Sequence, residues 1–213
     1  TRGPVTGELT LLEERYHLTG PARVSPNGLW VYQIARYLSH AYLAVLARDP
    51  ATGLVAESSA RRLADGGDGY LTPLTFHPSE NYAYYAYRRP ESPSESVLYR
   101  GVIDPATGLI SEADDIGLPP STGVAGLAIA ADGSSLFMVG DHHEHAVEYA
   151  IDLSGHISLR AVGFSGPFQS GAPREAVVSS DDRYIYLAAS SYFSEGSVTV
   201  WSRDPVSGDL TFV

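Results

Sequence analysis

The sequence predicts an all-β protein built from repeated four-stranded antiparallel sheets, and two observations support this prediction. One turn recurs five times, and its copies begin at residues 3, 49, 104, 152 and 204. A second kind of turn lies between these copies, and each of its examples precedes a run of aromatic and branched residues. A repeat of about fifty residues indicates stacked supersecondary units. Two hairpins in each unit are typical of the blade of a β-propeller.

The first turn joins the third and fourth strands of each unit, which we call c and d. Two copies read Asp-Pro-Ala-Thr-Gly, at 49–53 and 104–108, and variants lie at 3–7, 152–155 and 204–208. Proline and glycine supply the backbone angles of a tight turn. Asp and Thr side chains cap such turns through hydrogen bonds to the local backbone. These c–d turns therefore predict one hairpin in each repeat.

The second turn joins the first two strands, a and b. Its copies lie at 26–28, 78–80, 131–133 and 180–182. The runs that follow are rich in Tyr, Trp, Val and Ile, at 30–32, 82–84, 136–138 and 184–186. Such residues suit a pleated and half-buried surface. A helical alternative at residues 44–48 is weak, because this run is short and ends in Asp-Pro.

The strand count predicts about four complete blades plus an extra N-terminal strand. Residues 1–20 supply an additional d strand at Glu8–Leu12, and the chain ends with its own d strand at Asp209–Val213. We expect one propeller domain or propeller segment over 1–213, with approximate repeats at 1–23 (partial), 24–73, 74–126, 127–175 and 176–213. A four-bladed ring with a spare strand, a ring completed by another chain and a segment of a longer propeller all fit. The last arrangement is favoured, because bare sheet edges invite aggregation.

Composition excludes several classes of function. The net charge of −11 is spread along the chain, so we expect neither nucleic-acid binding nor attraction to anionic membranes. No apolar stretch approaches the roughly eighteen residues of a membrane helix, so membrane insertion is not expected. Cysteine and lysine are absent, which excludes disulfides and a Schiff-base lysine. The compartment stays open, with an extracellular or periplasmic location preferred to a cytoplasmic one.

Two segments near the C-terminus resemble a known family. Pro173–Tyr186 and Val198–Leu210 look like a blade of the lactonase-type seven-bladed β-propellers, which include 6-phosphogluconolactonase and the carboxymuconate-lactonising enzymes. Similar blade signatures recur over essentially the whole chain. The resemblance implies partial coverage of a full ring. It also implies an active site where an Arg-His pair begins an inner strand and other polar side chains reach a central channel.

Arg174 and Glu175 are the catalytic candidates that this resemblance implies, although Glu175 stands where the family has His. Opening a lactone requires a group that polarises the carbonyl, such as Arg, and a group that moves protons, such as Glu or His. His142 or His145 of a neighbouring blade would assist. The alternative is a structural pair of Arg and carboxylate that satisfies polar groups at the end of an inner strand.

Residues 141–145 form the densest polar cluster of the sequence. Asp141, His142, His143 and His145 are candidate ligands for a divalent metal, because imidazole and carboxylate suit Zn²⁺, Ni²⁺ or Cu²⁺. In an extended segment two of the histidines share one side, so a local site of three histidines would need a bend. The alternative is an ordinary solvated loop. No other cofactor is expected.

Two functions follow from these observations. The first is a non-catalytic β-propeller that serves as a binding or scaffold module in a larger protein or assembly. Its partner would be another protein or additional propeller blades. The second is a lactone hydrolase similar to 6-phosphogluconolactonase, acting on the lactone of a sugar or carboxylic acid. A small lactone or carbohydrate is the ligand that fits either function.

Overall fold

The structure of the chain is a computed structural model. It describes residues 22–37, 40–64, 73–89, 92–116, 118, 123–140, 146–162, 172–190, 196–204 and 206–213. All regular secondary structure in these ranges is β-strand, arranged as four antiparallel four-stranded sheets. The prediction of an all-β chain with four complete four-stranded units is thus confirmed. The extra N-terminal strand predicted at residues 8–12 lies outside the described residues.

Each sheet follows the order of the chain, so it is a simple meander. The first sheet contains β1 (Ala22–Val24), β2 (Trp30–Tyr37), β3 (His40–Arg48) and β4 (Val55–Ala64). The second contains β5 (Leu74–Phe76), β6 (Tyr82–Arg89), β7 (Ser92–Ile103) and β8 (Ile110–Ile116). The third contains β9 (Val124–Ile129), β10 (Ser135–Gly140), β11 (Ala146–Ile151) and β12 (Ile157–Val162). The fourth contains β13 (Ala172–Val178), β14 (Tyr184–Ser190), β15 (Ser197–Arg203) and β16 (Leu210–Phe212).

The c–d turns have the chemistry that the sequence predicts. The Asp104 carboxylate accepts a hydrogen bond of 2.9 Å from the Ala106 amide and another of 2.9 Å from the Thr107 hydroxyl. These bonds, the amide first, hold the pKa of the Asp104 carboxyl below its usual value. The turn ends at Gly108 with φ of +69°, a conformation that glycine adopts without the penalty of a side chain.

The sheets stack face to face in chain order. Tyr32 and Ile34 of the first sheet pack against Tyr85 of the second, and the second and third sheets share another apolar cluster. Phe137 of the third sheet and Ile185 of the fourth belong to a third cluster. Alternate residues of a strand point to opposite faces, so a central sheet contributes to two clusters. The core is therefore three apolar layers between four sheets.

Tyrosine hydroxyls tie each c–d turn to the sheet before it. The Tyr32 hydroxyl donates to the Gly108 carbonyl at 2.7 Å, and the Tyr84 hydroxyl donates to the Gly155 carbonyl at 2.6 Å. A Cβ atom at Gly108 would lie only 2.4 Å from the Trp30 ring. Successive sheets are thus fixed both by apolar packing and by a hydrogen bond at the turn.

The first strands of neighbouring sheets also approach closely. β9 contacts both β5 and β13. A Cβ atom at Gly126 of β9 would lie 3.0 Å from the Glu175 Cα and 3.0 Å from the Ala176 nitrogen. We call the side of the stack formed by the first strands, β1, β5, β9 and β13, the inner edge. The described residues contain no helix that could cross a membrane.

Candidate functional site

A charged pair at the inner edge joins the first and fourth sheets. Nη2 of Arg23, on β1, lies 2.8 Å from Oε1 of Glu175, on β13. Both side chains are about half exposed, at 45% and 48%. Because the pair is accessible, a bound molecule can reach its unused hydrogen-bonding positions.

Arg174 lies next to Glu175 in a β-bulge. Pro173 pairs with Ala189 and Glu175 pairs with Ala188, so Arg174 is the extra residue on its strand. Bulges re-aim side chains and are common beside active sites. Arg174 is exposed, as is Glu175. The structure therefore places two arginines and one carboxylate on the inner edge.

The sequence analysis missed Arg23 as a site residue. Its partner Glu175 lies 152 residues away along the chain. The available signal was its position on a predicted a strand, which is the strand type that also carries Arg174 and Glu175. That signal places the arginine on the inner edge and leaves its partner unidentified.

This arrangement suits a small ligand that carries a carboxylate or a polarised carbonyl. A guanidinium group offers a rigid fork of donors that matches carboxylate and phosphate oxygens. The Glu175 carboxylate, held by Arg23, is an acceptor that can take a proton from water. The three groups thus combine an anion-binding element with a candidate base.

Buried charges elsewhere serve the packing of the sheets. Arg203 is only 4% exposed, and its guanidinium donates to the Ser134 hydroxyl of the third sheet at 2.9 Å. The buried Glu148 accepts a hydrogen bond of 2.8 Å from the Ser135 hydroxyl within the third sheet. These groups have partners inside the protein, so they are poorly placed to meet a ligand.

The predicted metal ligands cannot be placed. Asp141, His142, His143 and His145 lie outside the described residues, so the metal site and the assistance of His142 or His145 stay predictions. Within the described ranges, no group of three or more His, Asp or Glu side chains is arranged to hold a metal ion. The catalytic roles of Arg174 and Glu175 also stay predictions.

Comparisons with known proteins give matches among solved structures. No family model and no curated protein matches the chain. A protein from Lactobacillus plantarum matches 98% of this chain and 61% of its own, with 18% identity and a TM-score of 0.73. The periplasmic gluconolactonase of Pseudomonas aeruginosa matches 90% of this chain and 55% of its own, with 17% identity and a TM-score of 0.69.

The fold is a β-propeller. A putative 6-phosphogluconolactonase from Bacteroides uniformis supports this conclusion, because it matches 92% of this chain and 72% of its own, with 14% identity and a TM-score of 0.60. Each four-stranded sheet of this propeller is a blade. The described part of the propeller thus contains four blades. The chain spans 61% of the length of the Lactobacillus protein, and the predicted seven-bladed ring stays a prediction.

Proposed function

We propose that this β-propeller is a lactone hydrolase that opens the lactone of a sugar or carboxylic acid at Arg23, Arg174 and Glu175. The observation that carries the proposal is the exposed ion pair of 2.8 Å between Arg23 and Glu175, with Arg174 beside it. The likeness to solved structures named gluconolactonase and 6-phosphogluconolactonase supports the choice of reaction. The periplasmic neighbour supports an extracellular or periplasmic location.

In the proposed reaction, Arg174 binds the lactone carbonyl oxygen, where negative charge develops as water attacks. A fixed donor at that oxygen stabilises the transition state more than the ground state. Arg23 is a positioning residue, because its ion pair holds the Glu175 carboxylate in place. Glu175 faces the water molecule and acts as its general base.

The reaction balances without a cofactor. The water oxygen forms a bond to the carbonyl carbon, and one water proton passes to the Glu175 carboxylate. The ring C–O bond then breaks, and the departing oxygen takes that proton back from Glu175. The product is a hydroxy acid, whose new carboxylate would pair with the Arg174 guanidinium.

The test measures acid release from a gluconolactone-type substrate by wild-type protein and by Arg174→Ala. We expect kcat/KM to fall by about 100-fold or more, the usual effect of removing a donor to a developing oxyanion. Arg183→Ala is the matched control, because Arg183 is exposed in the a–b turn of the same blade, away from the inner edge. Circular dichroism checks that both variants are folded. Activity that survives Arg174→Ala, or a wild type without activity, would overturn the proposal.

A second candidate is a non-catalytic binding or scaffold module. The pairing of Glu175 with Arg23 favours it, because a carboxylate already bound to a guanidinium is a weaker acceptor for a water proton. This module would bind a sugar acid at Arg174 without any reaction. Calorimetry with gluconate separates the candidates: binding without turnover of the lactone supports the second, and turnover excludes it.

A further inference from the structure

One face of the fourth blade carries exposed apolar side chains. We call this surface the open face, and it contains Val177 at 53% exposure, Tyr184 at 39%, Tyr186 at 39% and Val198 at 64%. The alternating residues of the same strands, such as Ile185, are buried against the third blade. A contiguous exposed apolar surface on a folded protein marks an interaction site.

Tyr186 corresponds to the tyrosines that bind the c–d turn of the next blade. It is the fourth residue after Asp182, which has a positive φ, just as Tyr32 follows Gly28 and Tyr84 follows Glu80. The hydroxyls of Tyr32 and Tyr84 donate to the carbonyls of turn glycines, at 2.7 and 2.6 Å. In the described part of the chain, the Tyr186 hydroxyl has no such acceptor.

Tyr184 corresponds to the rings that cover the turn glycines. The equivalent residues are Trp30 and Tyr82, and Cβ atoms at Gly108 and Gly155 would lie 2.4 and 2.6 Å from their rings. In the third blade, Phe137 stands at the position of Tyr186 and is buried against the fourth blade. The fourth blade therefore presents both parts of an interface that the first two blades use, and nothing in the described residues fills it.

The complementary surface lies on the first blade. Its c–d turn, Asp49–Gly53, repeats the sequence of the turn that binds Tyr32, and Gly53 has the same kind of backbone, with φ of +77°. On the face turned away from the second blade, Val24 is 54% exposed and Val31 is half-buried. Their equivalents in the second blade are Phe76 and Ala83, which pack against the first blade.

We propose that the open face binds the first blade of a second copy of this chain. The Tyr186 hydroxyl would donate to the Gly53 carbonyl of that copy, and Val198 would pack on its β-sheet face. The chain's own first blade does not fill this role, because it meets the fourth blade through Arg23 and Glu175 while Tyr184 and Tyr186 stay exposed. Two copies joined head to tail at both ends form a closed ring with two-fold symmetry.

The first test is the mass of the 213-residue protein in solution, measured by analytical ultracentrifugation at micromolar concentrations. We expect twice 22.8 kDa for the wild type. Val198→Asp places a charge in the interface, so we expect its dissociation constant to rise by about 100-fold. Val206→Asp is the matched control, because Val206 is 94% exposed in a turn away from the open face, and its dimer should be unchanged.

The second test separates head-to-tail binding from contact between two open faces. Val24→Asp alters the first blade and leaves the open face intact, and we expect it to be a monomer, as for Val198→Asp. An equimolar mixture of the two variants retains one intact interface and should form a heterodimer. A monomeric wild type, or a Val24→Asp variant that still dimerises, would overturn the proposal. Neither readout depends on catalysis, so the failure of the proposed lactonase activity leaves this test intact.

Discussion

Tyr32 and Tyr149 are both buried, but their hydroxyls are in different situations. The Tyr32 hydroxyl donates to the Gly108 carbonyl at 2.7 Å. The Tyr149 hydroxyl is buried and has no hydrogen-bond partner among the residues that the structure describes. Burial of a polar group is unfavourable unless that group is hydrogen-bonded. The same substitution should therefore have different effects at the two positions.

Tyr32→Phe removes a hydrogen bond and leaves the Gly108 carbonyl without its donor. We expect the free energy of unfolding to fall by about 1–2 kcal/mol, as measured by urea denaturation. Tyr149→Phe removes a hydroxyl that has no partner, so we expect a change of less than about 0.5 kcal/mol or a gain in stability. Equal losses from both variants would show that the Tyr32 hydrogen bond contributes nothing.

Tyr32 also makes the stability depend on pH in alkaline solution. Burial, and then the nearby Glu80 charge, raises the pKa of its phenol from 10.0 to about 12. A folded-state pKa above the unfolded value stabilises the protein fully below pH 10, and this contribution is lost as the pH rises toward about 12. Phenolate absorbance of the folded protein should therefore show a late titration step that is one tyrosine smaller in Tyr32→Phe. An unchanged late step in this variant would contradict the assignment.

At the scale of the element, the turns explain how local sequence becomes packing between blades. Gly108 and Gly28 both have a positive φ, at +69° and +72°. A Cβ atom at Gly108 would meet the Trp30 ring at 2.4 Å, whereas one at Gly28 would meet only the end of Arg48 at 3.6 Å. The two glycines thus share a backbone requirement and differ in their neighbours.

Gly108→Ala should destabilise the protein more than Gly28→Ala. Both substitutions place a side chain in the left-handed region, which is unfavourable by roughly 1 kcal/mol. Only Gly108→Ala also displaces an indole ring that packs between two blades, so we expect an additional loss of about 2 kcal/mol. The midpoints of urea unfolding measure both losses. Similar midpoints for the two variants would mean that the Trp30 ring yields without penalty.

The sequence analysis predicted the elements well because their signals are local. The Asp and Gly residues of the c–d turns specify hydrogen bonds and backbone angles within a few residues, as Asp104 and Gly108 show. The pair of Arg23 and Glu175 depends on how the first and fourth blades meet, and no short-range pattern encodes that contact. Half of the candidate site was therefore predicted from Arg174 and Glu175, and Arg23 was not.

At the scale of the whole molecule, each apolar cluster joins two successive blades. β10 of the third blade is buried along its whole length, because neighbours cover both faces. β14 of the fourth blade alternates between buried Ile185 and exposed Tyr186. Stability in such a stack is approximately a sum over neighbouring interfaces. The blades at the ends of the stack should therefore open more easily than the central ones.

Hydrogen exchange should reveal this gradient in the monomeric Val198→Asp protein. We expect amides of β10 to exchange at least about tenfold more slowly than those of β14, since opening free energies vary across a structure with burial. Exchange measured by mass spectrometry on peptides from each strand provides the comparison. In the wild type, protection of β14 should increase with protein concentration as dimers form. Uniform exchange across the two strands would contradict a stability gradient between the blades.

Gly126 gives the molecule its curvature. With no side chain at this position, the backbones of β9 and β13 come within the 3.0 Å that a Cβ atom would occupy, so neighbouring blades converge at the inner edge. Convergence on one side makes each blade a wedge, and the angle of the wedge fixes how many blades complete a circle. A thicker hub would reduce that angle and require more blades for a full turn. A missing methyl group thus helps to set the circumference of the ring.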